Sequence, residues 1–191
     1  MKNMMKNVDF RNGFWLALVL MAITVLPFLG LTDFNSRGEP REAIVSVTML
    51  QQGNWILPFN NGGEMAYKPP FFHWCISVFS LLGGHVTTYT SRIPSAIAAL
   101  VMLLCCYVFY ARRKNPETAL LAILFCFSTF EVHRAIYACR VDMVLTCCIV
   151  LAIMCFYVWQ EKRKWKYWLL AILCMSLGTL TKGPVAIILP W

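Results

Sequence analysis

Three uncharged apolar runs decide most of what this chain can fold into. Residues 12–32 lie between Arg11 and Asp33, residues 93–111 between Arg92 and Arg112, and residues 143–160 between Asp142 and Glu161. A helix crossing bilayer hydrocarbon needs about 17–25 such residues, and a helix satisfies its own backbone polar groups where no water can. Two shorter runs invite the same reading. The run 118–130 can extend outward through Glu131 and Arg134, and 167–181 is prolonged past Lys182 by Gly183, Pro184 and an apolar tail. The expectation is an all-α, polytopic membrane protein with about five transmembrane helices. Composition agrees: 59% of the 191 residues are hydrophobic and 14% charged, against about 25% charged in soluble domains. A soluble enzyme, a secreted disulfide scaffold and a disordered tail are excluded. Residues 12–32 are long and lack a small-residue cleavage site, so they read as a retained first helix rather than a signal peptide.

The net charge of +8 does not indicate nucleic acid, because the basic residues sit between apolar runs and report topology instead. One segment needs that argument. Residues 69–91 carry no charge, yet only Phe71 to Leu82 is strongly apolar, and the "GGHVTTYTS" that follows reads as loop. If 69–91 does not cross, three basic clusters share one side: Lys2, Lys6 and Arg11; Arg112 to Lys114; and Lys162, Arg163, Lys164 and Lys166. Short loops rich in Lys and Arg stay cytoplasmic. The N-terminus is therefore expected inside, and residues 69–82 form a short helix at or dipping into the membrane surface. Residues 33–91 then make one long outer loop. Within it, Pro40 suits a first helical turn and Gly53 the position past the end. Ala43, Ile44, Val47 and Leu50 make an apolar stripe, with Glu42 and Ser46 facing elsewhere, as in an amphipathic interfacial helix. Trp55, Pro58, Tyr67 and Trp74 suit a rigid loop at headgroup level.

The nine cysteines include no C-x-x-C and no zinc-like spacing with histidine, and seven lie inside apolar runs, where cysteine behaves as a small hydrophobe. His73, His85 and His133 show no metal spacing, so no metal ligands are expected. The charges gathered on the outer face are more informative. Arg37, Glu39, Arg41, Glu42, Lys68, Arg92, Arg134, Arg140, Asp142 and Lys182 all fall there. Positive-inside reasoning leaves outer loops poor in Lys and Arg, and charges at the ends of spanning helices usually face a cavity or a partner. Snorkelling anchors, or a pair such as Arg140 with Asp142, explain some of them. As a group they suit an anionic headgroup and a proton to be moved.

The stretch "RGEPREAIVSVTMLQQGNWILPFNNGGEMAYKPPFFHW" resembles the first outer loop of the GT-C membrane glycosyltransferases, in particular protein mannosyltransferases and lipid A aminoarabinose transferases. Glu39, Arg41, Met49-Leu50, Gly53-Asn54-Trp55, Pro58, Tyr67 and Lys68-Pro69-Pro70 match in the family's order. "SRIPSAIAAL" from Ser91, "CRVDMVL" with Arg140 and Asp142, and "LTKGPVAIILP" with Lys182 continue the match over nearly the whole chain. The resemblance implies the N-terminal transmembrane catalytic portion of such an enzyme, residues 1–191, with further helices beyond Trp191. It implies a polyprenyl-phosphate-linked sugar as donor and a glycolipid or protein acceptor. It also implies an inner-membrane protein working on the extracytoplasmic face. Some relatives hold a divalent ion near the acids; nothing in this sequence demands one.

Roles follow from the chemistry. Negative charge develops on the departing lipid phosphate, and cations placed there stabilise the transition state. Lys68, stiffened by two prolines, is the first candidate, with Arg41 and Lys182 behind it; Tyr67, Glu42, Arg92 and Arg140 complete the expected binding set. The acceptor hydroxyl must lose a proton to a carboxylate, for which Glu39 and Asp142 are the candidates, facing each other across the outer mouth. Relatives have an Asp-Glu pair before x-Arg, the first acid being regarded as catalytic, and here that position is Gly38. Either Glu39 takes the role, or Glu42 or Asp142 does, or the protein is not a competent transferase. The alternative for Glu39 is a favourable charge at a helix N-terminus. The rival class is a transporter or lipid flippase, which places ionisable groups near the midplane, often in inverted repeats. Here the charges gather toward one face and no repeat is seen, which favours the enzyme over that class; an inactive membrane scaffold is a further alternative.

Overall fold

In a computed structural model, described for residues 9–61 and 63–190, the chain forms nine helices among those residues. Lys2, Lys6 and Trp191 lie outside the described residues. The helices are α1 (Phe10–Val25), α2 (Gly38–Gln52), α3 (Phe71–Gly83), α4 (Thr88–Ala111), α5 (Pro116–Phe127), α6 (Phe130–Ile136), α7 (Val141–Lys162), α8 (Trp165–Lys182) and the single turn α9 (Val185–Ile188). A 3-10 turn, Leu26–Phe28, prolongs α1. The fold is all-α, as expected.

Among the described residues, three helices are long and apolar enough to cross a membrane: α1 with its 3-10 turn, α4 and α7. At 24 and 22 residues, α4 and α7 reach about 36 and 33 Å at 1.5 Å per residue. The fourth expected span is not straight. α5 and α6 pass the same test together but meet at a 70° bend. Serine and threonine make the break: the Ser128 hydroxyl donates to the Phe125 carbonyl and the Thr129 hydroxyl to that of Cys126. These bonds close the last turn of α5 in place of a continued helix. α8 has 18 residues but carries Lys166 and Lys182 within them and does not pass. The structure thus supplies three straight candidate spans and one bent one where about five were expected. α3, with 13 residues, is too short to cross, in line with its expected surface placement. α4 starts earlier than the loop reading of "GGHVTTYTS" allowed. Thr87 and Thr90 form a reciprocal cap, so Thr88 to Ser91 are helical.

Side-chain contacts sort the helix ends into two sets. At one end, the Tyr107 hydroxyl donates to the Phe10 carbonyl at 2.9 Å, and Arg113 pairs with Glu161. At the other, Tyr137 donates to the Thr24 carbonyl, Ser95 to that of Ala138, and Lys182 pairs with Asp142. α4 therefore runs antiparallel to α1 and parallel to α7, and α8 runs antiparallel to α7. The core gathers Met21, Phe72, Ile76, Leu103, Tyr107 and Ile136 from α1, α3, α4 and α6, and apolar side chains such as Leu16, Ile23, Leu81 and Phe125 face outward. This is the arrangement of a multi-pass membrane protein, whose solvent is lipid. The nine cysteines are free thiols, buried or half-buried.

α2 is amphipathic as expected, with Glu42 and Ser46 turned away from Ile44, Val47 and Leu50; only Ala43 departs from the expected stripe. Glu39, Glu42 and Ser46 are buried along with Ala43, Val45 and Met49, while Ile44 is exposed and Val47 and Leu50 are half-exposed. The helix is amphipathic, but its polar side points inward. In lipid the apolar stripe has no reason to be hidden, whereas buried polar groups need partners, and those partners lie within the protein.

Candidate active site

The segment from α2 to α3 is built to carry two side chains. Gly53 takes a left-handed conformation (φ 67°) that ends α2, one that glycine adopts without steric cost. The Asn54 side chain then accepts from the Ile56 and Leu57 amides, folding a turn. The chain then doubles back, with the Ala66 amide donating to the Pro58 carbonyl and an antiparallel bridge between Phe59 and Met65. The Thr48 hydroxyl donates to the Phe59 carbonyl at 2.7 Å, and the Trp74 indole donates to the Trp55 carbonyl at 2.7 Å. The loop is thus tied to α2 on one side and α3 on the other, and it delivers Tyr67 and Lys68 beside α2.

There Lys68 Nζ donates to Glu42 Oε1 at 2.7 Å, and His73 Nε2 lies 3.0 Å from Glu42 Oε2. Arg41 approaches the same carboxylate at 3.6 Å and lies over the Tyr67 ring, 5.5 Å from its centroid. Burial pushes the Glu42 carboxyl up, but the hydrogen bonds from His73 and Lys68 and the Lys68 charge outweigh it and bring it down to about 2. An ionised carboxylate only accepts, so the Glu42-facing nitrogen of His73 carries the proton, and its buried Nδ1 has no partner. The space between these groups is about 10 Å³, room for about one water. Tyr67 stands 75% exposed above it. Leaving His73 aside, Arg41, Lys68 and Glu42 carry one net positive charge, which suits an anion.

Asp142 anchors a second group. In the first turn of α7, it pairs with Lys182 Nζ at 2.6 Å and Arg140 Nε at 3.2 Å, its side chain 40% exposed. Lys68 lies near enough for its charge to act on Asp142. The two groups are neighbours at one end of the bundle.

Glu39 and Arg92 form a third, closed group. Arg92 is fully buried, and its Nε meets Glu39 Oε2 at 3.2 Å. Its remaining nitrogens donate to the carbonyls of Leu29, Thr32 and Asp33 at 2.8–2.9 Å. Glu39 Oε2 also accepts from the Cys139 amide, and Oε1 from the Asn35 amide. Arg92 and Glu39 thereby fasten the end of α1, the start of α2, α4 and the turn before α7. Glu39 sits in the first turn of α2, 2% exposed; it borders a cavity that takes in Arg140 but not Asp142.

Sequence reasoning named Arg41, Glu42, Tyr67, Lys68, Arg140, Asp142 and Lys182, which the fold gathers at one end, and Glu39 and Arg92, which it joins to each other. It missed His73. The available signal was an ionisable side chain inside a short apolar helix, which in membranes seldom lacks a partner. Among the described residues, no group of three His, Cys, Asp or Glu side chains could hold a metal ion.

Comparison with known proteins bears on the family and the fold. The family model of dolichyl-phosphate-mannose-protein mannosyltransferases matches residues 67–190. The undecaprenyl phosphate-alpha-4-amino-4-deoxy-L-arabinose arabinosyl transferase of Shewanella sediminis is 28% identical over 91% of this chain and 32% of its own length. The enzyme of the same name from Pectobacterium carotovorum is 30% identical over 91% and 32%. The crystal structure of ArnT from Cupriavidus metallidurans bound to undecaprenyl phosphate shares the fold, with a TM-score of 0.84 at 20% identity, covering 91% of this chain and 33% of that one. Its apo state gives 0.85 at 22% identity, covering 95% and 35%. This chain spans about a third of the length of these relatives. With a family model matched along most of its length, this chain belongs to the dolichyl-phosphate-mannose-protein mannosyltransferase family.

Proposed function

We propose that residues 1–191 form the N-terminal catalytic portion of an inner-membrane glycosyltransferase. It moves a sugar from a polyprenyl-phosphate donor to an extracytoplasmic acceptor, a glycolipid or a protein. The observation that carries this reading is the convergence of Arg41, Lys68, Arg140 and Lys182 on two carboxylates at one end of the bundle. The family supplies the reaction class, and its relatives' names supply the donor. The sidedness rests on the basic clusters, which place Arg112 to Lys114 and Lys162 to Lys166 inside and Lys68 and Asp142 outside.

In the reaction the acceptor oxygen attacks the anomeric carbon. The bond from that carbon to the phosphate oxygen breaks, and its electron pair leaves with the polyprenyl phosphate. Lys68 and Arg41 are the cations that meet this growing charge. The acceptor proton passes to a carboxylate. Asp142 is favoured because its side chain is 40% exposed, whereas those of Glu39 and Glu42 are buried, at 2% and 4% exposed. Glu39 then acts by positioning α2.

The test uses the full-length protein in proteoliposomes with radiolabelled polyprenyl-phosphate sugar and its acceptor. Lys68→Ala is expected to lose most turnover, and Lys68→Arg to keep part of it, since charge survives while geometry changes. Asp142→Asn is expected to lower kcat about 10²–10⁴-fold, as loss of a general base does. Parental activity in Lys68→Ala would remove Lys68 from the phosphate site, and parental kcat in Asp142→Asn would return the proton to Glu39 or Glu42.

A further inference from the structure

α4 and α8 both pack on α7, and toward the Asp142 end α3 packs against both of them. Toward the other end the space between α4 and α8 opens into a cleft of about 580 Å³, lined by these two helices, by α7 and by the residues just past α4. That volume falls within the roughly 300–1,000 Å³ of small-molecule sites. Its sides are apolar: Val108 from α4, Leu151, Met154 and Val158 from α7, and Leu170 from α8. Along α7 it runs from Leu151 to Lys162, about 16 Å at 1.5 Å per residue. A hydrocarbon core is about 30 Å thick, so the cleft is as long as one leaflet is deep. Arg112, Arg113 and Lys162 close its polar end, with Glu161 as the single carboxylate. Arg113 is clamped there. It pairs with Glu161 and lies over the Phe109 ring at 3.8 Å and the Tyr157 ring at 5.0 Å. Its buried Nε nevertheless has no hydrogen-bond partner, a state that is rare in folded proteins and calls for an explanation. Among the described residues Arg112 and Lys162 meet no carboxylate; they lie by the Phe10 ring at 5.7 Å and the Tyr167 ring at 5.8 Å. Cations at the ends of α4 and α7 offset the helix dipoles, but that gives them no reason to converge, with positive charge in excess, on an apolar cleft.

We propose that this cleft binds an anionic phospholipid. Its phosphate is held by Arg112, Lys162 and the free Nε of Arg113, and one acyl chain lies along α7 between Val108 and Leu170. Guanidinium groups bind phosphate through charge-assisted hydrogen bonds, and basic pockets between spanning helices on the cytoplasmic side take anionic headgroups. The sidedness proposed above puts this end in the cytoplasmic leaflet, whose surface is negative because its lipids are anionic. A further helix of the full-length protein matches the space less well. A spanning helix lines both leaflets, and its apolar flank would bury the charges of Arg112 and Lys162 without an anion to meet them. The cleft lies at the opposite end of the bundle from Lys68 and Asp142, and it stands independently of the transferase reading.

The test is photolabelling of the full-length protein in detergent micelles. The probe is a phosphatidylglycerol with a diazirine on one acyl chain, and the labelled residues are read by peptide mass spectrometry. Label is expected on Leu151 to Val158 and on Leu170, and several times less of it from a zwitterionic phosphatidylcholine carrying the same diazirine. Arg112→Gln combined with Lys162→Gln is expected to lower this labelling about tenfold, the loss of charge-assisted hydrogen bonds. Arg112→Lys combined with Lys162→Arg keeps the charge and is expected to keep most of the label. Neither side chain is ion-paired in the fold, so the unfolding midpoint of the Gln pair without added lipid is expected to match the parent's. Arg163→Gln combined with Lys164→Gln removes as much charge from the same end but outside the cleft, and is expected to leave labelling unchanged. An equal loss in that pair would mean attraction to surface charge alone and overturn the site. Equal labelling by phosphatidylcholine would overturn the anionic headgroup. An absence of label between Leu151 and Val158 would give the cleft to another helix of the chain. Excess undecaprenyl phosphate is expected not to displace the probe; displacement would replace the phospholipid with a polyprenyl phosphate as occupant.

Discussion

Glu42 meets Lys68, His73 and Arg41 at once, and its stabilising effect has a defined pH window. Its folded value, about 2, lies below the ordinary 4.5. The contribution is therefore complete above about 4.5 and is lost as pH falls from there toward 2. It amounts to something on the order of 3 kcal/mol. Thermal unfolding of the purified protein across that range is expected to show a falling Tm, and Glu42→Gln to be less stable at neutral pH with a flatter acid slope. An unchanged slope in the variant would assign the acid response elsewhere. Arg92 belongs to a different class. It is buried and donates to three backbone carbonyls as well as Glu39, so Arg92→Gln is expected to cost about 3–5 kcal/mol, as breaking a buried pair does. Denaturation of Glu39→Gln, Arg92→Gln and the double variant is expected to show non-additive losses; additive losses would mean the two side chains are not coupled. Lys68 stood out as a candidate from its place between an aromatic and two prolines. The joining of Glu42 to His73 across 31 residues was not, because only tertiary folding brings them together.

At the level of elements, α2 shows how far periodicity carries and where it stops. The stripe of Ile44, Val47 and Leu50 and the bounds near Pro40 and Gly53 were legible. Which side faces inward was not, since a 3.6-residue period is the same whether the surrounding medium is water or lipid. A nitroxide at Val47→Cys, in a background without native thiols, is expected to broaden with lipid-soluble oxygen, and one at Ser46→Cys is not. Equal broadening would place both faces in the same medium. The bend between α5 and α6 was hidden by the same logic, because Ser128 and Thr129 interrupt hydrogen bonding without interrupting apolarity. Gly178, on α8, was likewise unremarkable in sequence. A Cβ there would lie 2.6 Å from the Ala186 Cβ and 3.3 Å from that of Cys148. Gly178→Ala is therefore expected to force α9 and α7 away and cost about 1–3 kcal/mol, read from the unfolding midpoint in detergent.

On the scale of the whole molecule, the basic clusters make a sided prediction. Thiol labelling of Asn61→Cys and Lys114→Cys in intact membranes, again without native cysteines, is expected to succeed from opposite sides. Labelling of both from one side would overturn the proposed orientation. The class of architecture was legible because hydrocarbon thickness sets helix length, and so was the gathering of the charges toward one face; which charge pairs with which was not, because it depends on how the helices are laid side by side. The knot around Glu39 then bears on biosynthesis. Its carboxylate depends on Arg92, 53 positions later, and on the Cys139 amide, 100 positions later. Chains emerge from the ribosome N-terminus first, so α2 can be inserted early yet not seated until the turn ahead of α7 arrives. The pocket is thereby assembled late, and a nascent chain halted before residue 139 holds Arg41 and Lys68, the proposed phosphate-binding pair, without the clasp that sets their place.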